Sequence, residues 1–324
     1  MVRKIRKKKS RIRRFVKLIV MVAIAAFAYK SLISTGNNQI SEIKYEDIQS
    51  RPPQSIESER TASVSSDPLY SSNAILIRLT DDTVLMEKNS EEKIYPASLT
   101  KMMTVLVAIE NLSDLDEKIK LTWSMFEGLY EANASMAGFQ AGEQVRAIDL
   151  LYGAMLPSGA ESCIALADYI AGSEENFVRW MNQKAKELGM NNTHFENTTG
   201  LHSENHYTTV KDLAILLSNA LQNDIFRDIF TTFCYSVPPT NKHPDGITFY
   251  STMFEKLGFQ SIVNGEILGG KTGYTDEAGL CLASLAKVGK KEYILITTGA
   301  EGNHFSEQYH ITDALAVYNS IGSS

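Results

Sequence analysis

The stretch Tyr95-Pro-Ala-Ser-Leu-Thr-Lys-Met-Met-Thr104 sets a serine and a lysine three residues apart, directly ahead of the apolar run Val105 to Ile109. Proline is tolerated in the first turn of a helix but not beyond it, so Pro96 predicts a helix starting at Ala97 or Ser98. Residues three apart share a helix face, which brings the Lys101 amine beside the Ser98 hydroxyl near the partly positive helix end. A serine hydroxyl is a weak nucleophile. An amine that burial has made easier to deprotonate is a base able to activate it. Met102, Met103 and residues Val105 to Ile109 are apolar on nearly every side, the pattern of a helix inside a protein.

Ser-x-x-Lys by itself is a weak signal, since Ser41-Glu-Ile-Lys44 and Ser284-Leu-Ala-Lys287 match it too. The first lies in a polar linker, and the second in an expected strand, where residues three apart point to opposite faces. Two later features give Ser98 its context. Pro157-Ser-Gly-Ala-Glu-Ser162 is a polar turn between two helical apolar patterns, where a side chain can face a cleft, although Ser158 also reads as a plain helix cap. Lys271-Thr-Gly273 opens a strand.

The elements that must hold these residues are readable from periodicity and punctuation. Ser72 to Leu79 and Thr83 to Lys88 are strand-like runs joined across Asp81-Asp82, a hairpin signal. Leu121 to Gln144 is mixed and reads as loops and short helices. Helical spacing recurs in Ala147 to Met155, in Cys163 to Ile170 ending at Gly172, behind a Ser173 cap up to Gly189, and in Val210 to Leu221. The last strands are Gly270 to Tyr274, Gly279 to Ala286 and Tyr293 to Gly299, with a turn at Gly289-Lys-Lys, and Ser306 to Ile321 closes as a helix. Strands at both ends and helices between predict an α+β fold: one antiparallel sheet flanked by helices, with a helical lobe inserted.

In this order, Ser98/Lys101, the Ser158 turn and Lys271-Thr272-Gly273 resemble the penicillin-binding, serine-type D-alanyl-D-alanine carboxypeptidases, which share a fold with the class A β-lactamases. The flanks Pro96-Ala97 and Met102-Met103 are similar to the low-molecular-mass members, as are Ala167-Asp-Tyr-Ile-Ala-Gly, Leu188-Gly-Met-Asn-Asn-Thr-His-Phe and Gly200-Leu-His. The resemblance runs from about residue 68 to 320. It implies a β-lactamase/transpeptidase-like fold and a serine peptidase acting on peptidoglycan pentapeptide stems, with β-lactams as covalent inhibitors and no cofactor. Ser98, Lys101 and Ser158 would be catalytic. Lys271, Thr272, Gly273 and Tyr274 would bind substrate, with the backbone N–H groups of Ser98 and Tyr274 facing the oxyanion.

The second motif departs from the family's Ser-x-Asn, because position 160 is alanine. Glu161 or Ser162 is the candidate to compensate, Glu161 by keeping Lys101 hydrogen-bonded. A catalytically weakened wall-binding protein is the rival reading. A β-lactamase is another, resting on Glu187-Leu-Gly-Met-Asn191, whose Glu-to-Asn spacing fits a deacylating base. The substrate's terminal carboxylate would fall to Lys271, Thr272 and a later arginine, but no arginine follows Arg227. Lys271 supplies positive charge, and His304 or His310 adds to it only when protonated.

Charge and composition bound the rest. The 324 residues are 44% hydrophobic, enough for a sizeable core. Residues 1–40 hold eleven Lys/Arg and no acid, leaving 21 basic against 38 acidic residues in the body, which excludes nucleic acid as an expected partner. The basic head Arg3 to Arg14 precedes the apolar segment Leu18 to Tyr29, the layout of a secretory signal or signal-anchor. The expected organisation is a cytoplasmic head and anchor over 1–33, a flexible linker over 34–67, and a catalytic domain over 68–324 outside the cytoplasmic membrane. Ala26-Phe-Ala28 offers a cleavage site that would release the domain instead. Cys163, Cys234 and Cys281 are too few for a disulfide framework, and the histidines lack metal-ligand spacing, so no metal is expected.

Overall fold

The computed structural model describes residues 65, 66 and 68–323, all within the larger of the chain's two units, Glu59–Ser324. The expectations for the head, anchor and linker, and the Ser41/Lys44 pair, lie outside the described residues.

The domain opens with β1 (Asn73–Arg78) and β2 (Thr83–Lys88), the expected antiparallel hairpin. A single 3-10 turn, Ala97–Leu99, leads into α1 (Thr100–Asn111). The ladder of β3 (Lys118–Lys120) with β4 (Gln144–Arg146) clasps the irregular segment between them, which contains a 3-10 turn at Trp123–Phe126. Four helices follow: α2 (Ala147–Met155), α3 (Ala160–Ala171), α4 (Glu174–Leu188) and α5 (Val210–Ala220). Gly172 and Gly189 end α3 and α4 at φ of 77° and 79°, the left-handed conformation that glycine adopts without steric cost.

Four elements beyond the expected ones come next: α6 (Asp224–Thr231), β5 (Cys234–Val237) and β6 (Ile247–Tyr250), which pair as a hairpin, and the short α7 (Thr252–Leu257). The long strands β7 (Gly265–Thr275), β8 (Gly279–Val288) and β9 (Lys291–Ala300) precede α8 (Tyr309–Gly322). The closing helix starts three residues later than the sequence pattern, because the Ser306 hydroxyl is engaged in a turn with Asn303.

The sheet runs β2-β1-β9-β8-β7, antiparallel throughout, so β1 from the start of the domain pairs with β9 from its end. Both faces are covered. Ile75, Ala283, Leu285, Ile294 and Ile296 pack against the helical lobe, while their neighbours Ala74, Leu76, Leu282, Ala286 and Leu295 pack against Ile311, Ala314 and Val317 of α8. Side chains alternate faces along a strand, and burial of both faces turns the usual alternation into continuous apolar runs.

Helix α1 is the axis of the lobe, with every residue from Thr100 to Ile109 buried. Its buried hydroxyls are satisfied: Thr104 donates to the Thr198 carbonyl at 2.7 Å, and Thr100 pairs with His206 Nε2 at 2.8 Å. His206 Nδ1 accepts from the Glu196 amide, so Nε2 carries the proton and donates to Thr100. Burial pushes the His206 pKa down to about 4, which keeps the ring neutral. Among the described residues no helix is long and apolar enough to cross a membrane.

Asp313 on α8 accepts the backbone N–H groups of Tyr70 and Ser71, at 3.0 and 2.8 Å, and so fixes the approach to β1. Asp313→Ala leaves those donors unpaired and should cost about 2–3 kcal/mol. Asp313→Asn, which keeps one acceptor oxygen, should cost less, and the denaturant midpoints of the two variants check the order.

Candidate active site

Ser98 lies in the tight turn that feeds α1, preceded by Ala97 at φ 46°. A non-glycine residue in that region is strained, and two glycines of other segments let the backbone close around it. A Cβ on Gly200 would fall 1.9 Å from the Ala97 carbonyl oxygen, and one on Gly273 would fall 3.1 Å from the Ser98 nitrogen. The loop bearing Gly200 is shaped by Asn197, whose Oδ1 accepts the N–H groups of Thr199 and Gly200 while its Nδ2 donates to the Leu201 carbonyl.

Lys101 is 2% exposed, and its Nζ donates to Ser98 Oγ at 3.0 Å and to the Thr199 carbonyl at 2.5 Å. Burial lowers its pKa, because the charged form loses hydration that two neutral oxygens do not replace. Cys163 and Glu161 act in the opposite sense. The Cys163 thiol, pushed up to about 12 by its own burial, is uncharged near neutrality, which leaves Glu161, whose pKa burial raises against three backbone N–H groups that lower it, as the opposing group.

Ser158 is held at φ 67° and is 5% exposed, immediately before the Gly159 that caps α3. It is therefore not the helix cap. Its Oγ accepts from Lys271 Nζ at 2.9 Å, and Lys271, fully buried on β7, also donates to the Thr272 carbonyl at 2.8 Å. Burial first, then the charge of Lys101, drives the Lys271 pKa well down. Thr272 Oγ1 pairs with Thr252 Oγ1 at 2.7 Å, and the Tyr274 hydroxyl donates to Asp276. The structure thus brings Ser98, Lys101 and Tyr274 to the wall of a cleft of about 510 Å³, and Ser98, Ser158, Thr272, Gly273 and Tyr274 to a smaller recess beside it.

Several sequence expectations are corrected by this geometry. Glu161 does not hold Lys101: its Oε1 accepts three backbone N–H groups, from Ala137, Gly138 and Phe139, at 2.8, 2.9 and 3.3 Å. Three donors converging on one buried oxygen outbid a single amine, and they pin the loop that brings Ser135 to the cleft wall. Ser162 does not face the cleft either, since its buried Oγ sits against Gly153 of α2. The partner that holds Lys101 is the Thr199 carbonyl, a main-chain group that no side-chain pattern reveals. Glu187 accepts from Gln183 on the exposed face of α4, close to Lys184, and lines neither cavity, so it is no deacylating base for Ser98. His304 and His310 do line the recess, but burial and the charge of Lys256 lower both, His310 to about 3, so neither carries charge near neutrality. Lys256 itself, on α7, is a recess residue that sequence reading missed.

Comparison with known proteins agrees with this arrangement. The family model described as D-alanyl-D-alanine carboxypeptidase matches residues 60–302. The carboxypeptidase DacF of Bacillus subtilis is 38% identical over 234 residues, covering 70% of this chain and 57% of that protein. DacC of Escherichia coli is 35% identical over 239 residues, covering 70% and 56%, so the chain spans a little over half the length of these two relatives. Among solved structures, the DD-transpeptidase of Streptomyces K15 superposes with a TM-score of 0.71 at 27% identity, over 80% of this chain and 100% of that one. A family match of that extent, on a fold shared along the full length of the Streptomyces enzyme, makes this chain a member of the D-alanyl-D-alanine carboxypeptidase family.

Proposed function

We propose that the protein is a serine D,D-carboxypeptidase that removes the terminal D-alanine from peptidoglycan stem peptides through an acyl-enzyme on Ser98, and that β-lactams acylate the same serine. The observation that carries this reading is the buried Lys101 amine, lowered in pKa and 3.0 Å from Ser98 Oγ. The neutral amine takes the Ser98 proton as Oγ attacks the carbonyl carbon between the last two D-alanines. The oxyanion forms against the N–H groups of Ser98 and Tyr274, each contributing about 3–4 kcal/mol in comparable sites. Absence of a side chain on Gly273 supports this, because it lets the strand lie close to the Ser98 nitrogen.

Collapse of the intermediate breaks the carbon–nitrogen bond. The departing nitrogen takes its proton from Ser158 Oγ, which regains one from the Lys101 ammonium, while Lys271 Nζ, 2.9 Å from Ser158 Oγ, holds that hydroxyl in place. The proton count closes, since the proton Lys101 took from Ser98 is the one the leaving amine receives. The neutral Lys101 amine then takes a proton from water as the water oxygen attacks the ester carbon, and passes that proton to Ser98 Oγ as the carbon–Oγ bond breaks, so the peptide leaves as a carboxylic acid and Ser98 is free. Ala160 removes the family's amide from the second motif, and the Thr199 carbonyl supports the lysine in its place. We further propose that residues 1–33 hold the domain on the outer face of the cytoplasmic membrane.

Ser98→Ala should abolish covalent labelling by a tagged penicillin, read by intact-protein mass spectrometry, and label persisting on another residue would refute the assignment. Acylation requires neutral Lys101, so its rate should rise as pH rises through the lowered Lys101 pKa. Glu161→Gln keeps an acceptor for the three N–H groups but removes the negative charge that favours the ammonium. Its acid limb should therefore shift to lower pH, and an unmoved limb means that Glu161 carries no charge there. A chain lacking residues 1–33 should leave the membrane fraction in high salt, whereas the full chain should stay; a truncated chain that remains bound shows a second anchor.

A further inference from the structure

Resting on the reading of Ser98 as the acylated residue, we infer that Lys256 binds the carboxylate at the far end of the acylating ligand, a place that no arginine among the described residues fills. Beside Ser98 lies a recess of about 50 Å³. Ser98, Ser158 and Thr272 line it together with Thr252, Lys256 and the two histidines. Helix α7 supplies Thr252 and Lys256, which are four residues apart and so share a face. Met253 and Leu257, on its other side, are buried in the core against the sheet, and the Ser251 N–H donates to the Phe233 carbonyl. The helix is thereby fixed with its polar face toward the recess.

Charge bookkeeping singles out this lysine. Lys271 is committed to Ser158 and Thr272, Arg227 is paired with Glu292, and His304 and His310 are neutral near physiological pH. Lys256 is half-buried and makes no hydrogen bond or ion pair among the described residues, and the acid whose charge acts on it is its exposed chain neighbour Glu255. A partly desolvated cation beside a recess that hydroxyls also line is stabilised by an incoming anion. The two threonines add a donor. In the Thr252/Thr272 pair one hydroxyl donates and the other accepts, so the acceptor's own O–H is left free to bond a carboxylate oxygen.

The test compares two acyl-D-alanyl thioesters, one whose leaving group ends in a free carboxylate and the same compound as its methyl amide. The readout is the ratio of their second-order rates of Ser98 acylation. Lys256→Met should shrink the parent's preference for the carboxylate compound by about ten- to a hundredfold, the range for a charge-assisted hydrogen bond. Lys256→Arg should keep most of it. A ratio unchanged in Lys256→Met overturns the assignment, including the case where both rates fall together because α7 has shifted. A parent that acylates with neither compound overturns the reading of Ser98 itself, and this inference with it.

Discussion

The constraint on which the site depends is the burial of one amine. A lysine removed from water must lose its proton or find compensation, and Lys101 is offered two oxygens and no direct carboxylate partner. That choice keeps the group easy to deprotonate. Replacing the Thr199 carbonyl by a carboxylate would stabilise the ammonium and spoil the base. The carboxylate nearest in electrostatic effect, Glu161, is instead turned away and occupied by three backbone donors.

Placing the amine dictates much of the surrounding backbone. Helix α1 has to be apolar on nearly all sides to bury it, so its surroundings cover every residue from Thr100 to Ile109. The loop that carries Thr199 has to touch the nucleophile turn, and Gly200 is the residue that permits contact at that range. Strand β7 has to approach from the other side, where a Cβ at Gly273 would crowd the Ser98 nitrogen at 3.1 Å. Left-handed backbone at Ala97 and Ser158, in non-glycine residues, marks where local preference yields to the geometry of the site.

Much of this was legible in the sequence, for identifiable reasons. Ser98 and Lys101 meet because both sit in one helical turn, and the sheet was readable because its strands are long, apolar and bounded by turn residues. The hairpin of β5 and β6 was hidden: each strand has four residues, and Pro238-Pro239 between them reads as a break. Helix α7 is too short for periodicity to register, so Lys256 had no visible address. The Thr199 carbonyl carries no side-chain signature at all. Glu161 was assigned by proximity in the chain to Ala160, whereas its partners lie more than 20 residues earlier, in a loop whose course depends on the whole lobe.

The pairing of β1 with β9 has a consequence for how the domain is made. Asn73 lies opposite Thr298, so a central ladder of the sheet joins residues separated by nearly the full length of the domain. The β1–β2 hairpin is produced early, but until β9 arrives it has an open edge and half its apolar surface uncovered, and a lone hairpin has little stability in water. High sequence separation slows folding. The sheet therefore closes only once β9, Lys291–Ala300, has been made, because until then β1 has no partner along that edge.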